Sequence, residues 1–153
     1  MMTPPKLKDS ELCTMLMQLF ADNFVTYFKS HTYHFNVEGP MFAQDHALLQ
    51  EIYEFLHEQH DGIGEQIRQL NKGTPCSLKK LLVMTDIIEC DSPEKPSKEM
   101  FKWLNEDFNG LCECAQKIYD EADIECYGGL ATFTGDYIRD LSKLNWKVRA
   151  TLG

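Results

Sequence analysis

The chain has 153 residues, and its 24 aspartates and glutamates outnumber its 15 lysines and arginines, which gives a formal net charge of −9. The length favours one domain, and a hydrophobic content of 43% is ordinary for a globular protein. Affinity for DNA comes largely from lysines and arginines that neutralise phosphates, so this acidic balance opposes unaided DNA binding.

The sequence shows no targeting signal. No apolar run approaches the roughly 20 residues that span a bilayer, and the N-terminal residues lack the apolar stretch of a secretory signal. We therefore expect a cytoplasmic protein with no membrane partner. The six cysteines include no C-x-x-C pair, which disfavours a zinc ribbon or a thioredoxin-like site, and we expect most of them to be small buried hydrophobes.

Two long helices are predicted in the first half of the chain. The first starts at an N-cap at Ser10, shows apolar residues at helical spacing and runs to about Asn36, ahead of the break at Gly39-Pro40. The second follows Pro40 and stops at Asn71-Lys72-Gly73. Its roughly 31 residues would be ~46 Å long, which is typical of a long-helix bundle.

The second half of the chain predicts two more long helices behind a long connection, residues 76–96. A short apolar piece within it, residues 78–88, could form a small helix. The third long helix begins near Ser97, Gly128-Gly129 ends or bends it, and the fourth closes at Gly153. Together they predict an all-α, ferritin-like four-helix bundle with a short extra helix in the crossover between helices two and three. We expect one domain over residues 1–153, with residues 1–9 as a flexible tail.

Histidines and carboxylates are the metal-binding candidates. Four of the five histidines form two pairs at i, i+3 spacing: His31/His34 and His57/His60. His46 lies between the pairs. The usual di-iron bundle uses two Glu-x-x-His motifs within one subunit, and this chain has a single one, at Glu54 and His57. An internal di-iron centre of that type is therefore disfavoured.

Two carboxylates on the second helix lie off its apolar face. At 100° per residue, its apolar residues cluster within roughly 40° of one line: Leu49, Tyr53, Leu56, Ile63 and Ile67. Asp61 and Glu65 lie about 120° and 160° around from that line, so we expect them to face away from their own bundle core. Either they form a solvated acidic face, or they belong to a metal site that another subunit completes.

The segment His34-Phe35-Asn36-Val37-Glu38-Gly39-Pro40-x-Phe42 is followed by His46 and then by Asp61-x-x-x-Glu65. This order and these intervals strongly resemble the Dps family, the DNA-binding proteins from starved cells, also called mini-ferritins. In weaker form the resemblance extends over the whole chain, through the helix lengths, the short mid-chain helix and a tryptophan near the end, Trp146.

The resemblance implies an inter-subunit ferroxidase centre. His34 and His46 would come from one subunit, and Asp61 and Glu65 from its two-fold partner. The family implies that Fe2+ is oxidised, preferably by hydrogen peroxide and more slowly by O2, without release of hydroxyl radical. Ferric mineral would collect inside a shell of twelve subunits built from two-fold dimers, which protects against oxidative damage. Iron is the expected metal, and zinc or another divalent ion can substitute.

Four further residues are auxiliary candidates. His31 matches a family histidine just before the first ligand and would assist the site; otherwise it is a buried or hydrogen-bonded histidine. Three glutamates on the second helix could face inward and nucleate mineral: Glu51, Glu54 and Glu58. The alternative for these glutamates is a solvated surface.

Several features depart from the family's usual pattern. Gly62 and Gly64 lie inside the Asp-x-x-x-Glu segment, where each costs a helix about 1 kcal/mol relative to alanine. Close helix approach at the dimer two-fold axis, or a looser local helix, would explain them. Gln66 replaces an arginine and Phe35 replaces a tryptophan. The aspartates of the family's iron-entry pore do not align with this sequence, so no pore residues are assigned.

Other functions stay open. The alternative to a ferroxidase is a shell that coats DNA and has little iron chemistry. DNA-binding members commonly use a basic tail, whereas this chain has only Lys6 and Lys8 before Asp9, so DNA binding is not expected. A shell of twelve such chains would carry about −108, which repels phosphate. A zinc-binding scaffold that uses the two histidine pairs, or a bundle that has lost its iron chemistry, is also open.

Overall fold

The computed structural model describes residues 9–153, and over that range it contains helices and no strand. The elements in chain order are α1 Asp9–Asn36, α2 Phe42–Gln69, α3 Leu78–Met84, α4 Ser97–Ile124 and α5 Gly128–Leu152. The predicted all-α bundle with a short helix in its crossover is confirmed. The predicted tail lies outside the described residues except for Asp9, where α1 begins. Within the described range, every helix is too short or too polar to cross a membrane.

Tertiary contacts and left-handed residues set the helix ends that the sequence predictions missed. The short helix stops at Met84 rather than near Ile88. The hydroxyl of Thr85 donates to the Asp22 carboxylate at 2.7 Å and the backbone amide of Asp86 donates to it at 2.9 Å, so these groups bond to α1 instead of continuing the helix. The prediction that Gly128-Gly129 ends or bends the third long helix was wrong. The chain leaves α4 at Ile124, Cys126 takes a left-handed φ of 63°, and the two glycines begin α5.

The first described helical residue is Asp9, so Ser10 lies within α1 instead of at its N-cap. The second helix ends close to the predicted Asn71-Lys72-Gly73 signal. Asn71 adopts a left-handed φ of 61°, and its amide and that of Lys72 donate to carbonyls in the last turn. These bonds satisfy acceptors that a helix end otherwise leaves open.

The core lies between the four long helices. α1 packs on α2 and α4, and α5 packs mainly on α4. Each long helix buries one stripe of apolar residues, among them Leu12, Leu16, Leu19, Leu49, Ile52, Leu56, Phe101, Leu104, Phe108, Leu141 and Leu144. Burial of each such side chain is worth roughly 1.5–3 kcal/mol, and it fixes the rotation of each helix about its axis.

A hydrogen-bonded pair fills the middle of the bundle. The Asn23 amide donates to the carbonyl of Leu56 at 2.8 Å, and the Tyr137 hydroxyl donates to the Asn23 side-chain oxygen at 3.0 Å. Both side chains are buried. Glu54 and His57, the single Glu-x-x-His motif, are exposed on α2 instead of facing this pair.

A buried lysine ties the crossover to the bundle. The Lys29 ammonium, in a residue only 2% exposed, donates to the carbonyl of Ile88 at 2.7 Å and to the Asp107 carboxylate at 2.8 Å. It also lies 4.8 Å from the centre of the Trp103 ring. Because α1, α4 and the crossover meet at this ammonium, the connection between the helix pairs has a fixed path.

The cysteines are less buried than expected. Of the six, all within the described residues, only Cys13 is fully buried; Cys90, Cys112 and Cys114 are half-buried, and Cys76 and Cys126 are exposed. None forms a disulfide. The two exposed thiols lie in connections between helices, where helical periodicity cannot place a side chain in the core.

Candidate metal centre

His34 and His46 hold each other in place where α1 ends and α2 begins. Nδ1 of His34 lies 2.9 Å from the carbonyl oxygen of His46, and Nδ1 of His46 lies 2.8 Å from the carbonyl oxygen of His34. A carbonyl only accepts, so each Nδ1 carries a proton, and in a neutral ring the lone pair is then on Nε2. The rings stack with centroids 3.7 Å apart. The two stacked imidazoles are therefore held in fixed orientations, and Nε2 of each can serve as a metal ligand.

The α1–α2 loop brings these two helix ends together. The amide of buried Val37 donates to the carbonyl of Tyr33 at 2.9 Å, and the chain then reverses at Gly39. The φ of Gly39 is 123°, a conformation that favours glycine because a side chain would be strained there. The glycine of the Asn-Val-x-Gly-Pro segment thus has a backbone role in placing the two histidines.

Two aromatic stacks surround the histidine pair. The His34 stack consists of His34, His46 and Phe42, with ring centroids 3.7 and 4.9 Å apart. The His31 stack consists of Tyr53, His31 and Phe35, with centroids 3.8 and 4.6 Å apart. The two stacks meet edge to face, with 65° between the planes of His34 and Tyr53. This packing restricts the rotation of both imidazoles.

His31 lies beside the histidine pair but points its Nδ1 elsewhere. Its ring centroid is 6.1 Å from that of His34, and its Nδ1 is 3.0 Å from the hydroxyl of Tyr27. Burial lowers the pKa of His31, and the neighbouring His34 and His57 lower it further. His31 is therefore a neutral, hydrogen-bonded ring at neutral pH.

Asp61 and Glu65 are exposed on α2, as the helical geometry predicted. They are far from His34 and His46 of their own chain: fifteen residues of helix separate His46 from Asp61, or roughly 22 Å at 1.5 Å per residue. Within residues 9–153, no three histidine, cysteine, aspartate or glutamate side chains are grouped closely enough to hold a metal ion. A site that combines both pairs therefore requires a second chain.

Gly62 and Gly64 make room for aromatic rings of their own chain. A Cβ on Gly62 would lie 2.7 Å from the ring of Phe133 in α5, and a Cβ on Gly64 would lie 3.3 Å from the ring of Phe20 in α1. Helix α2 continues through both positions. The structure thus explains the glycines by close packing within one subunit, which neither explanation offered from the sequence had identified.

The remaining candidates are spread along α2. Glu51, Glu54 and Glu58 are exposed; Glu51 accepts from Lys147 at 2.7 Å, and Glu54 accepts from Gln50 at 2.8 Å. His57 and His60 turn toward aromatic rings of α1. His57 contacts Tyr27 with centroids 5.2 Å apart, and His60 contacts Phe20 with centroids 4.2 Å apart. Burial lowers the pKa of His60.

Sequence reasoning missed two tyrosines beside the site. Tyr53 was assigned only to the apolar face of the second helix, and Tyr27 was not considered. The available signal for Tyr27 was its i, i+4 spacing to His31, which puts both residues on one face of α1.

Comparison with known proteins gives consistent results. The family model described as Ferritin-like domain matches residues 13–153. The DNA protection during starvation protein of Helicobacter pylori is 30% identical over 138 residues, covering 90% of this chain and 96% of that protein. Antigen TpF1 of Treponema pallidum is 32% identical over 144 residues, covering 92% and 80%.

Solved structures agree with these relatives. The crystal structure of antigen TpF1 matches with a TM-score of 0.94 and 29% identity, covering 98% of this chain and 96% of that one. A Dps protein from Vibrio cholerae O1, described as a member of a superfamily of ferritin-like diiron-carboxylate proteins, matches with a TM-score of 0.92 and 26% identity, covering 100% and 99%. The predicted ferritin-like architecture is confirmed.

Proposed function

This chain belongs to the Dps family of ferritin-like proteins, and we propose that it is a protective iron-storage protein with ferroxidase activity. It oxidises Fe2+, preferably with hydrogen peroxide, and stores ferric mineral inside a hollow shell. The observation that carries the proposal is the reciprocal bonding of His34 and His46, which engages Nδ1 of both stacked rings and leaves Nε2 of each for a metal.

The donor set fits iron as the substrate. His34 and His46 supply two neutral imidazoles, and Asp61 and Glu65 supply two carboxylates that α2 presents one turn apart on an exposed face. Mixed nitrogen and oxygen donors suit Fe2+, and zinc or another divalent ion can occupy the same donors. The anionic carboxylates stabilise Fe3+ more than Fe2+, which favours loss of an electron. The bonds that fix both imidazoles reduce the rearrangement this step needs.

A two-fold dimer completes the site. In an isologous pair, the histidines of one subunit meet the carboxylates of the other, and the reverse contact occurs at the same time. Because His46 and Asp61 lie on one helix, the two-fold axis passes near the middle of the segment between them, close to Tyr53. The dimer then has two equivalent sites separated by roughly the 22 Å that divides the pairs along α2.

Exposed apolar side chains on α1 and α3 support a partner chain. Phe28 and Phe35 of α1 are 57% and 69% exposed, and Val83 of α3 is 81% exposed, next to the exposed Leu82. Large apolar groups at such exposure are unfavourable in an isolated subunit, and a covering surface removes that cost. We propose that a second copy of this chain covers them.

The larger assembly is proposed from the family. A cytoplasmic shell of twelve subunits built from two-fold dimers would enclose the mineral, with Glu51, Glu54 and Glu58 as candidate nucleation sites. Coating of DNA is the alternative function. It calls for a test because the Helicobacter pylori relative is named a DNA protection during starvation protein. The net charge of −9 per chain opposes it, so no shift of DNA is expected in a gel at low salt.

The first experiment loads the protein with Fe2+ under anaerobic conditions, adds hydrogen peroxide and follows ferric absorbance. Rapid oxidation is expected for the wild type, and its loss is expected for the double variant His46→Ala/Asp61→Ala. The matched control is His57→Ala/Glu113→Ala, which removes one histidine and one exposed carboxylate that are neither proposed ligands nor candidate nucleation sites. Equal slow oxidation in the wild type and the site variant would reject the proposal.

A further inference from the structure

A cavity of about 410 Å³ lies between α1, the short helix α3 and the connection that follows it. This volume is in the range, roughly 300–1,000 Å³, of pockets that hold small molecules. Most of the cavity wall is apolar, and each of the two helices contributes three side chains to it: Phe24, Val25, Phe28, Leu78, Leu81 and Leu82. The described residues on this wall include none of the four proposed metal ligands, so the cavity is separate from the candidate metal centre.

One buried hydroxyl on the cavity wall lacks an acceptor. Tyr33 is 2% exposed, and its hydroxyl makes no hydrogen bond of ordinary geometry within the described part of the chain. A phenol keeps its proton at neutral pH, so this group is a buried donor, and leaving such a group unpaired is unfavourable. Cys90 is its neighbour on the wall, but the Cys90 thiol donates to the carbonyl of Ser92 at 2.9 Å, and a thiol sulfur is only a weak acceptor.

Other polar side chains on the wall are already engaged or carry a negative charge. The Thr32 hydroxyl donates to the carbonyl of Lys29 at 2.8 Å, and the Asn36 amide donates to the carbonyl of Thr32 at 2.9 Å. The Lys29 ammonium is held by the bonds described above. An anionic ligand would meet the exposed carboxylates of Glu89 and Asp91, so the wall favours an uncharged molecule.

We propose that this cavity binds a small, uncharged, largely apolar molecule with a carbonyl oxygen at one end, such as an aromatic ketone, and that Tyr33 donates a hydrogen bond to that oxygen. The apolar body lies against Phe28 and Leu82, which are 57% and 47% exposed, and removes them from water. Because water hardly reaches the Tyr33 hydroxyl, the ligand turns the Cys90 thiol aside to reach it. This site does not depend on the proposed ferroxidase activity.

The competing occupant is the second copy of the chain that we propose to cover Phe28 and Leu82. A partner side chain inside the cavity would leave no room for a ligand, whereas a partner that only closes the mouth would enclose the ligand. The Tyr33 hydroxyl favours the ligand, because it needs an acceptor and the exposed apolar side chains that the second copy offers, such as Phe35 and Val83, have none.

The test measures binding of 2-acetylnaphthalene, an uncharged aromatic ketone, to the full-length, iron-free protein by equilibrium dialysis. Wild type is compared with Tyr33→Phe, which removes only the hydroxyl, and with the surface control Tyr119→Phe on α4. Saturable binding is expected in the wild type and in the control. Binding to Tyr33→Phe is expected to be roughly two- to twelvefold weaker, which is the effect of one neutral hydrogen bond.

Two analogues and one further variant isolate that hydrogen bond. 2-Ethylnaphthalene has no acceptor and is expected to bind equally well to the wild type and to Tyr33→Phe. 2-Naphthoate is an anion and is expected to bind much more weakly than the ketone. Cys90→Ala opens the path to the Tyr33 hydroxyl and is expected to bind the ketone at least as tightly as the wild type.

The outcomes of this experiment are distinct. Tyr33→Phe breaks no hydrogen bond of the ligand-free protein, so it is expected to unfold in urea at the same or a higher concentration than the wild type, and weaker binding is then not a folding defect. No saturable binding of the ketone by the wild type would overturn the proposal and leave the second copy as the occupant. Equal binding of the ketone by wild type and Tyr33→Phe, or equally tight binding of 2-naphthoate, would also overturn it.

Discussion

A mixing experiment tests whether two chains build one site. His46→Ala removes a ring but keeps the backbone carbonyl to which His34 donates, and Asp61→Ala removes an exposed carboxylate, so both variants are expected to fold. Each variant alone has no complete site. In a mixed dimer of the two, one site loses both groups and the other is intact, because its histidine and its aspartate come from different chains. Random pairing gives half mixed dimers, so about a quarter of wild-type activity is expected.

The assay mixes the two variants in denaturant, refolds them together and measures ferric absorbance after peroxide addition. A second mixture combines wild type with the double variant His46→Ala/Asp61→Ala. A shared site again predicts about a quarter of the wild-type activity, whereas a site within one chain predicts about half. Restoration to a quarter in both mixtures supports the shared site. Residual activity in the first mixture no higher than in either variant alone would refute it.

Three other predictions concern packing and charge. Asp107→Ala leaves the Lys29 ammonium buried without its carboxylate and is expected to cost about 3–5 kcal/mol of unfolding free energy, whereas Lys29→Met/Asp107→Leu is expected to cost much less in urea denaturation. Gly62→Ala is expected to lower the free energy of unfolding, since overpacking against Phe133 costs about 1–3 kcal/mol and the gain in helix propensity is about 1 kcal/mol. In a Phe133→Ala background the clash is absent, so the same substitution is expected to stabilise the protein. Burial raises the pKa of Cys114 to about 11, so alkylation of this thiol at pH 8 is expected to lag behind the exposed thiols, with mass spectrometry as readout.

Sequence patterns predicted the features of the fold that depend on residues close together in the chain. The helix over Asp9–Asn36 follows from apolar periodicity, and its end follows from Gly39-Pro40. The end of α3 could not be predicted this way, because the Asp22 side chain that accepts from Thr85 belongs to another helix. The turn after α4 was missed as well: the left-handed residue there is Cys126, with a φ of 63°, whereas Gly128-Gly129 had been expected to end or bend that helix.

The same distinction applies to the candidate site: features set by one helix could be predicted, and features set by contacts between elements could not. Spacing along α2 predicted the outward direction of Asp61 and Glu65, because one rigid helix carries them and the apolar stripe. The exchange of Nδ1 bonds between His34 and His46 depends on how the loop brings two helix ends together, which spacing does not specify. Likewise, no local rule links Gly62 to Phe133, which lies on a different helix.

Three of the four proposed ligands, His46, Asp61 and Glu65, lie on the same helix, α2. Helix α2 cannot bend by the roughly 22 Å that separates His46 from Asp61, so no internal motion of one subunit can assemble the proposed site. The core of the bundle is nonetheless complete within a single chain. A separated subunit is therefore expected to remain helical by circular dichroism and to lack ferroxidase activity. Under the proposed function, iron oxidation is thus confined to chains that have already begun to build the shell that receives the product.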